Sequence, residues 1–204
     1  MKINIELNTK SIDEAIKKLK FIEKQYTNGK MINHFLERVC DWLISRANMY
    51  VENSDIGDNV KVDIKTRWDY TINNGKAKII NPAEKAVFVE FGVGEIGEYE
   101  PHPNSAETKY EYNVDSPAKD ENGVWHFYTN MDDLDLPKRA LNYDTKFFQN
   151  DKRGRLYVST RGAEGVMYAY NALIDARNDL QNPNGELAQI WRTIQKQYIE
   201  RYMR

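Results

Sequence analysis

The sequence predicts a single α+β domain over residues 1–204, with an N-terminal helical pair packed on a twisted antiparallel sheet and further helices at the C-terminus. Near both ends, apolar residues recur every three or four positions, whereas in the middle they recur at every second position. Helices, then strands, then helices follow one another in blocks, which favours α+β over a parallel α/β sheet. The composition, 41% hydrophobic and 29% charged, is typical of a globular chain. A loop or hairpin insertion is expected at about 95–155.

Two helices are predicted in the first fifty residues, at about 11–26 and 31–51. Ser11 precedes Glu14 by three positions, which is the spacing of a capping box. The apolar residues of each helix fall on one stripe. Because a turn containing Gly29 separates them, they form a helical hairpin whose apolar faces need a further layer.

The middle of the chain predicts antiparallel strands. The tripeptide Asn-Asn-Gly at 73–75 indicates a tight turn, with a returning strand at 77–80. On the strand predicted around 87–91, the side chain of Glu90 should point to the face opposite that of Val89 and Phe91. The alternating residues that mark these strands are Val60, Val62 and Ile64, then Trp68, Tyr70 and Ile72, then Val87, Val89 and Phe91.

The second half of the chain combines long loops with two short strands and two helices. The strands are predicted at 124–128 and 155–159, where aromatic and β-branched residues cluster. The helices are predicted at about 162–180 and 187–202, separated by Asn-Pro-Asn-Gly at 182–185.

Charge and hydropathy exclude several broad classes of protein. The formal net charge is −2, from 29 basic and 31 acidic side chains, so no general attraction to nucleic acid or to an anionic membrane is predicted. Apolar runs such as 86–89 are far shorter than a membrane span, and residues 1–4 lack the apolar core of a signal peptide. Since Cys40 is the only cysteine, we expect an intracellular product folded in a reducing compartment.

No motif predicts an enzyme, a cofactor or a metal ion. The histidines, at positions 34, 102 and 126, lack the close spacing of zinc ligands on one element, and a metal-dependent hydrolase using His102 and His126 is a weaker alternative. Cys40 lies inside a predicted helix with no activating base nearby, which favours a buried structural thiol. The acidic residues at 132–135 lack the ligand spacing of a calcium loop, which favours a solvated turn.

A basic and aromatic segment at 138–161 indicates the main alternative function, which is binding or processing of single-stranded nucleic acid. Acidic residues dilute this segment, and contact with an acidic protein partner would explain it equally well. Its basic residues are Lys138, Arg139, Lys146, Lys152, Arg153, Arg155 and Arg161, and its aromatic residues include Tyr143, Phe147, Phe148 and Tyr157.

Residues 85–94 read Lys-Ala-Val-Phe-Val-Glu-Phe-Gly-Val-Gly, and residues 161–172 read Arg-Gly-Ala-Glu-Gly-Val-Met-Tyr-Ala-Tyr-Asn-Ala. With these segments, the chain resembles the tail-component and tail-completion (neck) proteins of long-tailed bacteriophages over about two thirds of its length, chiefly 10–95 and 155–180. The first segment is similar to the family's Tyr-Ala-x-Tyr-Val-Glu-Phe-Gly-Thr strand, with Val93 in place of threonine. The second resembles the approach to the family's closing helix, without its proline. The insertion at 95–155 and the last helix depart from the family pattern.

The resemblance implies a non-enzymatic structural protein of the virion, assembled in the host cytoplasm. Such a protein forms an oligomeric ring at the head–tail connector or completes the tail, and its partners are portal, connector or tail-tube proteins. It contacts DNA only as the lining of a passage and has no membrane partner. The insertion would contact a neighbouring subunit or component. The interface residues expected on this basis, together with the basic segment, are Phe88, Glu90, Phe91, Lys138, Arg139, Arg153, Arg155 and Tyr157.

Overall fold

A computed structural model of the protein describes residues 9–27, 29–112, 120–122, 124–134, 148–149 and 156–203. Helices and small antiparallel sheets make up this part of the chain, which confirms the predicted α+β class. Across the residues described, no helix combines the length and the apolar character that crossing a membrane requires.

Short helices and short strands are interspersed between residues 58 and 164, and longer helices lie on either side. The helices are α1 Thr9–Thr27, α2 Lys30–Asn53, α3 Asp58–Thr66, α4 Ala86–Phe91, α5 Gly94–Tyr99, α6 Ser105–Thr108, α7 Tyr168–Gln181 and α8 Glu186–Met203. The strands are β1 Asp69–Asn73, β2 Lys76–Ile80, β3 Gly92–Val93, β4 Trp125–Thr129, β5 Phe148–Gln149, β6 Leu156–Thr160 and β7 Gly162–Glu164. They form three sheets, β1–β2, β3–β7 and β4–β6–β5.

The described residues group into two compact units. The first contains residues 9–42, 70–78 and 176–203, and the second contains residues 43–69 and 79–175, apart from the gaps given above. The predictions of one domain over 1–204 and of a helical pair packed on a sheet stay predictions.

The first unit is a helical assembly in which α1 contacts α8. Phe35 and Trp191 pack edge to face with ring centroids 5.1 Å apart, and the indole N–H of Trp42 donates to Glu186 at 2.8 Å. The carboxylate of Asp179 accepts the backbone N–H groups of Glu186 and Leu187 at 3.0 and 2.7 Å, so it caps the N-terminus of α8. Buried apolar residues hold this unit together: Met31, Cys40, Trp42, Ala176, Leu187 and Ile194.

Cys40 is buried in the middle of α2, as the sequence predicts, with 1% of its surface exposed. Burial, together with the carboxylates of Asp41 and Glu37, raises the pKa of its thiol. A thiol in such surroundings stays protonated at neutral pH and is a poor nucleophile.

The predicted hairpin is confirmed. Strands β1 and β2 pair, and the two residues between them, Asn74 and Gly75, have φ angles of 49° and 72°. Positive φ at both central positions is the geometry of the tight turn that an Asn-Gly pair favours.

The second unit has a principal apolar core between α2, α3, α4 and the start of α7. Two aromatic residues that pack against this core form hydrogen bonds at its edge. The Tyr50 hydroxyl donates to Asp175 at 2.9 Å, and the Trp68 indole N–H donates to Asn48 at 2.7 Å. The buried residues of this core are Ala47, Val51, Ile56, Val60, Ile64, Ala83, Ala86, Val89, Tyr168 and Ala172.

The strand predicted from Val60, Val62 and Ile64 is wrong, because this segment forms α3. Val60 and Ile64 lie four positions apart on one helical face and are buried, whereas Val62 is 56% exposed. Apolar residues at i and i+4 satisfy both the strand period and the helical period, and only the burial of the residue between them distinguishes the two.

The strand predicted from Val87, Val89 and Phe91 is also wrong, because these residues lie in the short helix α4. Val89 and Glu90 are adjacent and both buried, while Val87 is 49% exposed. An alternating strand cannot bury two successive side chains on one face. The helix ends at Gly92, whose φ of 83° carries the chain directly into β3.

A second, smaller core lies under the β4–β6–β5 sheet. Val93, Leu134, Val158 and Ala163 are its buried members. Strands β4 and β6 agree within one residue with the predictions at 124–128 and 155–159. The helix predicted from residue 162 begins only at Tyr168, because Gly162–Glu164 forms β7 instead.

Candidate functional site

Glu90 is the centre of a buried polar network in the second unit. Its carboxylate accepts the backbone N–H groups of Ala169 and Tyr170 at 2.8 and 2.9 Å. It also accepts the ring N–H of His102, with Nε2 and Oε1 3.0 Å apart. Only 8% of the residue is exposed. A buried carboxylate is tolerated when its oxygens are hydrogen-bonded in this way.

Glu90 supplies hydrogen-bond acceptors to the N-terminus of helix α7. Ala169 and Tyr170 are in the first turn of α7, where backbone N–H groups lack partners inside the helix. A carboxylate at this end bonds those donors and interacts favourably with the helix dipole. Glu90 therefore joins the end of α4 to the beginning of α7, although the two are nearly eighty residues apart in sequence.

His102 presents its protonated nitrogen to Glu90. Its Nδ1 accepts the backbone N–H of Asn104 at 3.0 Å, so the ring proton must be on Nε2. The ring packs against Phe91 and Tyr170, at centroid distances of 4.3 and 5.2 Å. The Tyr112 hydroxyl accepts the backbone N–H of His102 at 2.8 Å, which fixes the loop that carries the histidine.

A close backbone crossing lies beside this network. Strands β3 and β7 are antiparallel, with Gly92 opposite Glu164 and Val93 opposite Ala163, and a further bridge joins Gly94 to Gly162. The backbone amides of Val166 and Met167 then donate to the carbonyl oxygens of Val89 and Glu90, at 2.7 and 3.2 Å. The segment after β7 is thus bonded to the end of α4 before α7 begins.

Comparison of the chain with protein-family models, with curated proteins and with solved structures finds no match. The relation to phage tail-completion proteins therefore stays a prediction from residues 85–94 and 161–172.

Two tyrosines at this site are held protonated. Burial raises the pKa of Tyr110 to about 12, and its hydroxyl donates to the carbonyl oxygen of Gly92 at 2.7 Å. Burial, and then the charge of Glu90, raises the pKa of Tyr168, whose hydroxyl donates to the carbonyl oxygen of Ala86 at 3.1 Å. Neither phenol can act as a base near neutral pH, so both are structural donors.

A second polar network lies on the β4–β6–β5 sheet. The imidazole of His126 lies between two oxygen groups, with its Nε2 3.2 Å from Asp120 Oδ2 and its Nδ1 2.9 Å from Ser159 Oγ. The other Asp120 oxygen accepts the backbone N–H groups of Asn122 and Val124 at 2.8 and 2.9 Å. These bonds, first that from Val124 and next that from His126, lower the pKa of Asp120 to about 2.

His102 and His126 thus belong to two different networks, and each is bonded within its own. Among the residues that the structure describes, no cluster of three or more histidine, cysteine, aspartate or glutamate side chains is arranged to hold a metal ion. In the acidic segment, Asp133 accepts from the side-chain amides of Asn59 and Asn130, at 2.8 and 3.2 Å.

We expect Asp120 to give the protein a specific acid sensitivity. Its pKa is lower in the folded state than the ordinary value of 3.8, so its ionised form stabilises the fold above that pH, and this contribution is lost as the pH falls through about 2. Asp120→Asn keeps acceptors for the backbone amides but removes the charge. The difference in melting temperature between wild type and variant should be constant above pH 4 and shrink towards pH 2. A difference that does not change with pH would contradict this assignment.

The structure places only some of the predicted interface residues. Phe88 packs against the smaller core, Phe91 lies against His102 and Tyr110, and the Tyr157 ring stacks on His126 with 5.7 Å between centroids. Glu90 is bonded inside its own chain. Lys138, Arg139, Arg153 and Arg155 lie outside the described residues. Their role at an interface, and that of the basic segment in binding nucleic acid, stay predictions.

Proposed function

We propose that this chain is a structural protein of a long-tailed bacteriophage. It acts at the neck or the tail end, where it joins head to tail or completes the tail. It forms an oligomeric ring in the virion through contacts with its own copies and with portal, connector or tail-tube proteins.

The observation that supports this proposal is the meeting of the two segments on which the resemblance rests. Residues 85–94 contain α4 and β3, and residues 161–172 contain β7 and the start of α7. Glu90 bonds the first turn of α7, and β3 pairs with β7. The two segments thus form one hydrogen-bonded unit, which supports reading them together as a single motif. Residues 86–91 form α4 and not the strand of the family pattern, so the support comes from the pairing of the segments and not from the type of element.

The chemistry of this unit favours a scaffold. The buried side chains of Glu90 and His102 direct their polar atoms to backbone amides and to each other. The tyrosines beside them are protonated donors to carbonyl oxygens. Such groups stabilise one backbone arrangement rather than binding an exchanging ligand.

The segment that we assign to contacts with neighbours begins beside this scaffold. Tyr99 ends α5 and is 86% exposed, with the exposed carboxylates of Glu98 and Glu100 on either side. Tyrosine is one of the residue types enriched among the anchors of protein interfaces. Because His102 and Tyr112 follow within the same segment, deleting 95–155 would also remove groups that bond the scaffold. A point substitution at Tyr99 is the cleaner change.

The test is electron microscopy of lysates from the source phage or prophage with this gene disrupted. We expect filled heads and separate tails, or tails of abnormal length, and the class of particle shows which end is affected. Expression of the wild-type chain from a plasmid should restore complete virions. Tyr99→Ala should restore them poorly while remaining folded, and Phe21→Ala, at an exposed aromatic residue of α1, serves as its control. Normal virions from the disrupted phage would contradict the proposal, and binding of single-stranded DNA would then be tested.

A further inference from the structure

The network on the β4–β6–β5 sheet has the connectivity of a serine nucleophile and its base. Asp120, His126 and Ser159 form a continuous chain of hydrogen bonds, with Asp120 Oδ2 at 3.2 Å from Nε2 and Ser159 Oγ at 2.9 Å from Nδ1. His126 and Ser159 are direct cross-strand partners on β4 and β6. The register of the sheet therefore fixes this pair.

The direction of the proton donors is the one that general-base catalysis needs. Asp120 has a pKa of about 2, so at neutral pH its carboxylate can only accept, and the ring proton of a neutral His126 must be on Nε2. Nδ1 then has a free lone pair and accepts the hydroxyl proton of Ser159. In many serine hydrolases Nδ1 faces the carboxylate and Nε2 faces the serine, whereas here the two nitrogens are exchanged. Either nitrogen of an imidazole can act as the base.

The imidazole is also held in place before any reaction. It is bonded at both nitrogens, and its face lies 12° from parallel to the ring of Tyr157. Asp120 is itself fixed by the backbone amides of Asn122 and Val124. A base oriented in this way loses little conformational entropy when it takes a proton.

We propose that Ser159 is a reactive serine that accepts an acyl group from an activated carboxylic ester, with His126 as its base and Asp120 as the positioning residue. This reaction goes beyond the structural role proposed above and does not depend on it.

The step begins when Ser159 Oγ attacks the carbonyl carbon of the ester and its proton passes to His126 Nδ1. The imidazolium that results is stabilised by the charge of Asp120. When the tetrahedral intermediate collapses, the bond from carbon to the leaving oxygen breaks, and that oxygen takes the proton from Nδ1. The products are acyl-Ser159 and a free alcohol or phenol, and His126 is neutral again.

Access and chemistry limit the substrate class. Ser159 is 9% exposed, while the side chains of His126 and Asp120 are 33% and 34% exposed, so a small acyl group is required. Negative charge develops on the carbonyl oxygen of the ester in the transition state. An ester with a good leaving group, such as an aryl oxide, has the lowest barrier to this step and is the substrate class to test first.

The experiment treats the full chain with p-nitrophenyl acetate at neutral pH and follows release of p-nitrophenolate. Trypsin then releases the peptide 156–161, which contains Tyr157, Ser159 and Thr160 as possible acceptors. Fragmentation by mass spectrometry distinguishes them. We expect one acetyl group on Ser159. In His126→Phe the rate of labelling should fall by at least about 10²-fold, since a positioned base contributes about 10² to 10⁴ to the rate. Phenylalanine keeps a ring against Tyr157 and removes both nitrogens.

Two controls make the result decisive. Ser54, whose hydroxyl donates to the carbonyl oxygen of Val51 and has no histidine partner there, should stay unlabelled. The melting temperature of His126→Phe shows whether the sheet is intact. No label on Ser159 in the folded wild type, label only on Tyr157 or on lysines, or equal labelling in a folded His126→Phe would each overturn the proposal.

Discussion

Replacing Glu90 by alanine should lower the free energy of unfolding by about 3–5 kcal/mol, because it leaves buried donors without their acceptor. The backbone N–H groups of Ala169 and Tyr170 and the ring of His102 all lose their bond to this carboxylate. Urea denaturation of the purified protein measures the change. Glu90→Gln should lose less, since an amide oxygen can still accept from the first turn of α7.

The control for Glu90 is Glu98→Ala, at an exposed position in α5, which should change the stability by less than about 0.5 kcal/mol. The same experiment separates two roles of Glu90. If its carboxylate bonds within one chain, the loss of stability will not depend on protein concentration. A loss that grows with concentration would mean that Glu90 acts across a subunit boundary, as expected of the interface residues that the resemblance implies.

Gly162→Ala should destabilise the second unit by about 3 kcal/mol or more, the range of the most disruptive single substitutions. Gly162 has a φ of 116°, a backbone angle that residues other than glycine rarely adopt. A β-carbon there would also overlap the carbonyl oxygen of Val93, where β7 crosses β3. Relief of that overlap requires the two backbones to separate, which breaks the strand pairing. Thermal unfolding followed by circular dichroism measures the effect.

Gly75→Ala is the matched control for this prediction. Gly75 also has a positive φ, 72°, but a β-carbon there would meet only the Ile32 side chain, at an ordinary distance of 3.8 Å. It should therefore cost only the conformational penalty, about 1–2 kcal/mol. Equal losses at the two positions would show that the close backbone crossing contributes nothing beyond the φ angle.

Long periodic segments and turn chemistry were sufficient to predict part of the fold. The stripes at 31–51 and 187–202 correspond to α2 and α8, each long enough for helical spacing to be unambiguous. The hairpin at 73–75 follows from the need for positive φ, which Asn and Gly satisfy. These features depend on residues close together in sequence.

The short elements could not be predicted in the same way. In α3 and α4, three apolar residues at alternate positions fit a strand, and a helix of six to nine residues is too short to show its own period. Tertiary packing decides the outcome, since Val60 and Ile64 enter the principal core while Val62 between them stays exposed, which a helix allows and a strand does not. Local pattern gives no information about that packing.

The buried site was beyond prediction for a related reason. Glu90 was singled out because of the segment around it, but its partners His102, Ala169 and Tyr170 are distant in sequence. Two of these partners contribute backbone N–H groups, which nearly every residue type has, so the sequence does not mark them. A missing capping side chain just before residue 168 is a local signal that the N–H groups of α7 need an acceptor from elsewhere, but it can be used only once the start of the helix, predicted at 162, is placed at 168.

The buried position of Cys40 gives the protein a practical property. A maleimide reacts with thiolates, and the only native thiol is enclosed in α2 with a raised pKa, so it should remain unmodified in the folded chain. A cysteine introduced at an exposed site such as Val62 in α3 would then be the single reactive one. Fluorophores or spin labels could be attached there without first removing the native residue, and distances between copies would test the proposed ring.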